Sequence, residues 1–255
     1  MNIFSAILLG LVEGVTEFLP ISSTGHMILV SDMLSLPNTD FLKSFEISIQ
    51  LGAILAIVVM YAPKLLGNIK LYQRLFTAFL PTAIVGFLLY DYIKTYLFNP
   101  IIVSGTLILG GIFLIFLDRK IKTQPDNKQG PEGVSNKDSL FIGFSQTLAM
   151  VPGVSRAAAT ITGGVFRGLS KKQAMEFSFL LAVPTMLAAT GYDLLKASNS
   201  YSTYEFGLLG IGSVVSFVSA WVAVKMFIGV IDKHGLVLFG YYRIVVGMVY
   251  LLYFR

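Results

Sequence analysis

The sequence concentrates reactive side chains in one short stretch near its N-terminus, where the other residues are mostly apolar. Its members are two carboxylates, three hydroxyls and one imidazole: Glu13, Glu17, Ser22, Ser23, Thr24 and His26. A second polar group lies in the other half of the chain, at Ser155 and Arg156. Charged groups at membrane depth are costly and are usually retained to act on a substrate or an ion. We therefore expect one polar site in a membrane catalyst or carrier.

The two carboxylates are spaced to bind a hard cation. Glu13 and Glu17 are four residues apart, so on a helix they share one face. Two carboxylates in a low dielectric repel each other unless a cation lies between them. Oxygen ligands without cysteine, and with one histidine nearby, favour Mg²⁺ or Ca²⁺ over Zn²⁺. We predict a metal site at this pair, and the alternative is a pair held by backbone and hydroxyl donors alone.

The hydroxyls that follow have two interpretations. Ser23 lies three residues before His26, so on a helix its hydroxyl could meet the imidazole and act as a nucleophile. The alternative for His26 is a packed, hydrogen-bonded side chain. Ser22 and Thr24 are candidates for substrate binding, although such residues often cap helices instead.

The second polar group is suited to anions. Arg156 follows Pro152-Gly-Val-Ser155, so it should open a helix after a glycine-containing turn. A guanidinium beside free backbone N–H groups forms an anion pocket, to which Ser155 and Thr160 could add hydroxyls. The alternative is an arginine paired with Glu13 or Glu17 for stability. Carboxylates, a metal, an arginine and hydroxyls together suit phosphoryl transfer.

Composition places these groups in a membrane protein. Of 255 residues, 55% are hydrophobic and only 13% are charged, roughly half the usual charged fraction of a soluble chain. We predict an all-α polytopic fold in a single membrane domain, residues 1–255, with six transmembrane helices. The predicted spans are residues 44–62, 74–92, 101–117, 175–195, 206–229 and 236–254. The absence of cysteine excludes disulfides and thiolate chemistry.

Neither polar stretch can be a simple spanning helix, because each has a proline and small polar residues in its middle. We predict two re-entrant helix–loop–helix hairpins, at residues 3–30 and 140–168, each followed by three spans. The two also align with each other, with one residue of slack: Gly10-x-x-Glu13 and Pro20-x-x-Ser23 match Gly143-x-x-Gln146 and Pro152-x-x-Ser155. This indicates a first repeat at 1–117, a linker at 118–139 and a second repeat at 140–255.

Three spans per repeat require the second repeat to be inverted, and the basic residues support this topology. One side would hold Lys64, Lys70, Arg74, Arg119, Lys120, Lys122, Lys128, Lys137, Arg167, Lys171, Lys172 and Lys233, and the other only Lys43, Lys94, Lys196 and Arg255. By the positive-inside rule the linker is cytoplasmic and both termini are external. The net charge of +5 therefore needs no nucleic-acid partner. Inverted repeats with broken helices place their site near the midplane, where the two hairpins would meet.

Taken together, these motifs resemble those of the bacterial undecaprenyl pyrophosphate phosphatase family associated with bacitracin resistance. The resemblance rests on Glu13-x-x-x-Glu17, on Pro20-Ile-Ser-Ser-Thr-Gly-His26 and on Pro152-Gly-x-Ser155-Arg156-x-x-x-Thr160, and it runs the whole chain. One departure is that the family usually follows the arginine with Ser-Gly, whereas Ala157 and Ala158 stand here.

The resemblance implies hydrolysis of undecaprenyl pyrophosphate at the outer face of the bacterial plasma membrane, which recycles the lipid carrier for cell-wall synthesis. It implies a Mg²⁺ or Ca²⁺ ion on Glu13 and Glu17, phosphate binding by Arg156, and catalysis by Glu17, Ser23 and His26. The nucleophile stays open between Ser23, His26 and a water molecule. The type-2 phosphatidate phosphatase fold fits poorly, since it needs a second catalytic histidine. The only histidine besides His26 is His234, which we expect in a short cytoplasmic turn beside Lys233.

The main alternative from the architecture is a transporter or flippase for undecaprenyl phosphate or a coupled ion, because inverted repeats with broken helices are typical of transporters. A structural membrane protein would leave the intramembrane charges unexplained. Glycine pairs such as Gly110–Gly111, Gly163–Gly164 and Gly207/Gly210 favour close helix packing and leave room for a homodimer. Arg243, near the end of a span, is expected to extend its side chain to the interface.

Overall fold

The computed structural model describes residues 1–120, 130–197 and 201–253, and within them the chain is all helical. The twelve α-helices of this described part are α1 (Ile3–Thr16), α2 (Ser23–Met33), α3 (Asp40–Ser48), α4 (Gln50–Met60), α5 (Ala62–Leu65), α6 (Ile69–Tyr92), α7 (Pro100–Lys120), α8 (Asn136–Thr147), α9 (Arg156–Phe166), α10 (Lys171–Ala197), α11 (Thr203–His234) and α12 (Val237–Tyr253). A π-helical turn, Ile93–Leu97, follows α6.

Five helical segments are long and apolar enough to cross a membrane: Asp40–Met60, Ile69–Tyr92, Pro100–Arg119, Lys171–Asp193 and Thr203–Phe227. Each corresponds to one predicted span, and the first is α3 and α4 joined at Ile49. The sixth predicted span, 236–254, coincides with α12, an apolar helix of 17 residues. Large apolar side chains such as Leu109 and Phe116 are exposed, as expected for surfaces that face lipid. The chain is therefore a multi-pass helical membrane protein.

Each polar stretch folds as two helices joined by a turn. The first pair is α1 and α2, and the second is α8 and α9, so the paired helices occupy residues 3–33 and 136–166. Helix α7 reaches Lys120 and α8 begins at Asn136, so helical structure enters the predicted linker from both ends. The middle of that linker, residues 121–129, lies outside the described residues.

The two halves of the chain pack against each other reciprocally. Helix α1 lies along α11 of the second half, and α8 lies along α6 of the first half. Glycines permit both approaches: a Cβ at Gly14 would lie 2.0 Å from the Ser219 hydroxyl, and one at Gly143 would lie 2.3 Å from the Ala78 carbonyl oxygen. Helix α12 packs along α7, and α9 packs between α8 and α10. This arrangement brings the two turns together inside the bundle.

Candidate active site

Both turns end in the same unusual conformation. Ser22 precedes α2 with φ 73°, and Ser155 precedes α9 with φ 77°, a region that residues other than glycine rarely adopt. Each serine hydroxyl caps its helix by accepting a hydrogen bond three residues on, from Gly25 N at 3.3 Å and from Ala158 N at 3.1 Å. The turns therefore correspond at Ser22 and Ser155, which lies within the one residue of slack in the predicted alignment.

A buried ion pair joins the two turns. Arg156 Nη2 donates to Glu17 Oε1 at 2.8 Å, and both side chains are almost fully buried. The other carboxylate oxygen of Glu17 accepts a hydrogen bond from the Ser23 hydroxyl. The structure therefore joins Ser23 and Arg156 through Glu17, so the two polar stretches meet as the sequence predicted.

The second nitrogen of the guanidinium is held by α10. Arg156 Nη1 donates to the backbone oxygen of Ser178 at 2.7 Å and to its hydroxyl at 3.1 Å. The Thr160 hydroxyl, which is fully buried, donates to Ser178 Oγ at 2.7 Å. Thr160 thus orients Arg156 through Ser178, whereas the sequence predicted that it binds substrate.

Glu13 is the group with unused binding capacity. Its side chain is fully buried, and neither carboxylate oxygen makes a hydrogen bond of ordinary geometry with the described residues. A buried carboxylate without partners is costly unless a proton or a cation compensates its charge, so Glu13 and Glu17 fit a divalent cation. The described residues contain no cluster of three His, Cys, Asp or Glu side chains. An ion here would take its other ligands from water and phosphate oxygens, as Mg²⁺ commonly does.

His26 is held away from Ser23. Its Nδ1 lies 2.7 Å from the backbone oxygen of Ser22, so this nitrogen must carry a proton. In the neutral ring Nε2 then accepts from the Tyr242 hydroxyl at 3.0 Å, and the two rings stack with an interplanar angle of 6°. Both nitrogens are therefore occupied, and within the described residues no hydrogen bond joins His26 to Ser23.

A cavity of about 420 Å³ opens beside the ion pair. Of the predicted site residues, it is lined by Glu17, Ser22, Ser23, Thr24, Ser155 and Arg156, but not by Glu13, His26 or Thr160. Away from these groups its walls come from α6 and α10 and are mainly apolar, with Phe79, Ala83 and Met186 among them. The site thus combines a polar end with an apolar extension.

Three further side chains near the site were not among the predicted residues. Ser178 lies in Glu176-Phe-Ser178, which repeats Glu46-Ile-Ser48, so the duplication was an available signal. Gln50, which donates to the Thr24 hydroxyl at 3.3 Å, also lines the cavity. Tyr242 gives no signal in the sequence, because its distance from His26 depends on how α12 packs.

Comparison with known proteins identifies relatives of the whole chain. The family model described as Bacitracin resistance protein BacA matches residues 6–249. The undecaprenyl-diphosphatase of Aquifex aeolicus is 48% identical over 258 residues, covering 100% of this chain and 99% of the relative. Those of Wolinella succinogenes and Persephonella marina are each 49% identical, covering 99% of this chain and 98% and 99% of the relatives. Given this geometry and these full-length matches, the chain belongs to the bacitracin resistance protein BacA family.

Proposed function

We propose that the protein is an integral membrane phosphatase that hydrolyses undecaprenyl pyrophosphate to undecaprenyl phosphate and inorganic phosphate. The observation that carries this proposal is the contact of Arg156, Glu17 and Ser23 at the polar end of a cavity whose remaining walls are apolar. A diphosphate fits the polar end, and the first isoprene units fit the apolar walls. The names of the full-length relatives agree with this substrate.

The two helix N-termini would bind the diphosphate together with Arg156. Helices α2 and α9 both begin at the cavity, and the first N–H groups of a helix have no partner within it. The capping serines satisfy only the N–H groups of Gly25 and Ala158. The other first-turn donors and the positive ends of both helix dipoles are therefore available to phosphate oxygens.

In the proposed reaction the Ser23 hydroxyl is the nucleophile. It gives its proton to Glu17, which already accepts its hydrogen bond, and its oxygen forms a bond to the terminal phosphorus. The bond from that phosphorus to the bridging oxygen breaks, and undecaprenyl phosphate leaves. Water then hydrolyses the phosphoserine and releases phosphate. Phosphoryl transfer depends mainly on positioning and charge neutralisation, which Arg156 and the helix N-termini supply.

Glu13 and Glu17 would hold the Mg²⁺ or Ca²⁺ ion. When bound, the ion supplies positive charge that stabilises the developing negative charge on the phosphate oxygens. The lack of a hydrogen bond of ordinary geometry from Glu13 to the described residues supports this assignment. His26, with both ring nitrogens occupied, would shape the turn before α2 and leave proton transfer to Glu17.

We place the protein in the bacterial plasma membrane, with six spans, both termini external and the two helix pairs re-entrant from opposite sides. The reciprocal packing of α1 on α11 and α8 on α6, and the matching turns at Ser22 and Ser155, support an inverted repeat. A homodimer stays a prediction of the glycine pattern. Gly207 and Gly210 have open space around them, whereas Gly110, Gly111, Gly163 and Gly164 contact residues of this same chain.

The test is phosphate release from undecaprenyl pyrophosphate by purified protein in detergent, with and without a chelator. We expect release that needs a divalent cation and falls at least 100-fold in Glu17→Gln, Ser23→Ala and Arg156→Ala, since such groups act mainly in the transition state. The matched control is Glu46→Gln, because Glu46 is also buried but bonds Ser31 outside the cavity. His26→Ala should retain more activity than Ser23→Ala.

One outcome would contradict the proposed function, and a second would contradict only the role of Ser23. Folded wild-type protein that releases no phosphate with metal present would remove the enzyme function, and counterflow of undecaprenyl phosphate without hydrolysis would then favour a carrier. Full activity of Ser23→Ala would instead retain the phosphatase and assign the attack to water.

A further inference from the structure

Arg243 of α12 is fully buried, and its guanidinium contacts carbonyl oxygens instead of a carboxylate in the described part of the chain. Nη1 donates to the backbone oxygens of Pro20 at 3.2 Å and Val154 at 3.0 Å. Nη2 donates to those of Gly153 at 2.7 Å and Thr106 at 3.3 Å. The expected extension of this side chain toward the interface was therefore wrong.

Three of the four acceptors lie in the two turns that carry the active site. Pro20 belongs to the turn between α1 and α2, and Gly153 and Val154 belong to the turn between α8 and α9. Thr106 lies in α7, and its hydroxyl donates to the backbone oxygen of Pro152 in the second turn at 2.7 Å. One guanidinium therefore bonds to both turns at once, two residues before Ser22 and one residue before Ser155.

The surroundings of Arg243 are shaped to admit the guanidinium. A Cβ at Gly110 of α7 would lie 2.0 Å from Nη2, so any larger residue there would displace it. Gly153 has φ +91°, and a Cβ at this position would lie 1.9 Å from the Thr106 hydroxyl oxygen. The second turn also touches the start of α2, because a Cβ at Gly25 would lie 3.2 Å from the Cα of Gly153. Glycine is thus required on both sides of the contact.

A buried cation is costly, so its retention needs an explanation. Four carbonyl dipoles compensate its charge in part, and a planar guanidinium can bond to several acceptors at fixed angles in a way that a lysine ammonium cannot. Arg243 does not line the cavity and so does not reach a bound substrate. Its described contacts connect α12 with the two turns and with α7.

We propose that Arg243 is a positioning residue that holds the two turns in register, so that Ser23 from one and Arg156 from the other act on the same diphosphate. The expected effect on kcat rests on the proposed function. The expected effect on the separation of the two turns does not. Catalysis across two separate turns depends on their relative position, and a misplacement of about 1 Å can reduce the rate about 100-fold.

The kinetic test compares Arg243→Met with Arg243→Lys. We expect Arg243→Met to lower kcat about 100-fold with little change in KM, because binding groups remain but reacting groups are misaligned. Arg243→Lys should recover part of that loss, since an ammonium can satisfy some of the carbonyls. The matched control is Arg119→Met, which removes a cation that joins α7 to α12 through Tyr241, away from the site.

A second pair of variants approaches the same contact from α7. Gly110→Ala should lower kcat because its methyl group displaces the guanidinium, whereas Gly105→Ala, with open space around it, should not. In the Arg243→Lys background, Gly110→Ala should lower kcat by a smaller factor than in wild type. The reason is that lysine lacks the guanidinium atoms that the added methyl group would displace. The proposal would be overturned if the effects of Gly110→Ala and Arg243→Lys on kcat were additive, or if Gly110→Ala and Gly105→Ala lowered kcat equally.

A structural measurement separates this inference from the proposed function. The chain has no cysteine, so two spin labels can be attached at introduced cysteines without background. Val15 and Leu148 are exposed and lie close before the two turns, so electron paramagnetic resonance between these sites reports their separation. We expect a wider or shifted distance distribution in Arg243→Met and an unchanged one in Arg119→Met. An unchanged distribution in Arg243→Met would refute the positioning role even if hydrolysis were lost.

Discussion

The ion pair between Glu17 and Arg156 permits a quantitative test of how far the two halves of the chain depend on each other. Unit charges about 4 Å apart attract by about 4 kcal/mol at an effective dielectric constant near 20. Removing one member of a buried pair costs about 3–5 kcal/mol, because the other charge is left uncompensated. The 2.8 Å contact and the burial of both side chains place this pair in that class.

The variants Glu17→Gln and Arg156→Met should reduce the free energy of unfolding by different amounts. In Glu17→Gln the guanidinium keeps its bonds to Ser178, so we expect a loss of about 3 kcal/mol in the free energy of unfolding. In Arg156→Met the carboxylate keeps only the Ser23 hydroxyl, so we expect about 5 kcal/mol. The double variant should lose less than the sum of these, with a coupling energy of about 2 kcal/mol.

The assay is reversible unfolding in mixed micelles, with helix content followed by circular dichroism. The matched control is the pair of Lys64 and Glu176, which has a similar length of 2.7 Å but a lysine side chain that is 41% exposed. Water and salt screen such a pair, so its coupling should be about 1 kcal/mol or less. A coupling for Glu17 and Arg156 no larger than that of the control would refute the conclusion that this contact ties the two turns together.

Three further variants test packing, the cavity and the histidine contact. Gly14→Ala should reduce the free energy of unfolding by about 1–3 kcal/mol, because its methyl group would overlap a serine hydroxyl of α11; unaltered stability would contradict this close packing. Ala83→Phe should raise KM for the polyprenyl substrate about tenfold, a loss of about 1.4 kcal/mol in binding, by filling the apolar end of the cavity. Ile84→Phe on the exposed side should leave KM unchanged, and equal KM values for the two variants would exclude the cavity as the tail site. Tyr242→Phe should cost about 1 kcal/mol of stability by removing the hydrogen bond to His26, and a neutral effect would show that the contact contributes nothing.

Much of the fold and part of the site could be predicted because they depend on local patterns. Long apolar runs predicted the five spans that the structure contains, since backbone groups in lipid must bond within a helix. Proline and small polar residues in the middle of each polar stretch predicted where the helices break. The expectation that the two polar stretches lie close together came from the duplicated motifs, although it did not specify which side chains touch.

Other features required the tertiary structure. The predicted partnership of Ser23 and His26 used helical spacing, yet Ser23 bonds Glu17 and His26 bonds Tyr242, which is 216 positions away. The predicted exposure of Arg243 used its place near a helix end, yet the packing of α12 on α7 buries it between two turns.

By itself the sequence determined the helices, the breaks within them and the types of side chain in the site, because periodicity and local backbone preferences act over a few residues. Only the tertiary structure decided which hydroxyl, carboxylate and guanidinium touch, and which side chain holds the turns together. The contacts between the two halves join residues more than one hundred positions apart, such as Glu17 and Arg156 or Pro20 and Arg243. Their geometry is set by how closely whole helices approach, which depends on glycines and buried side chains from several elements at once.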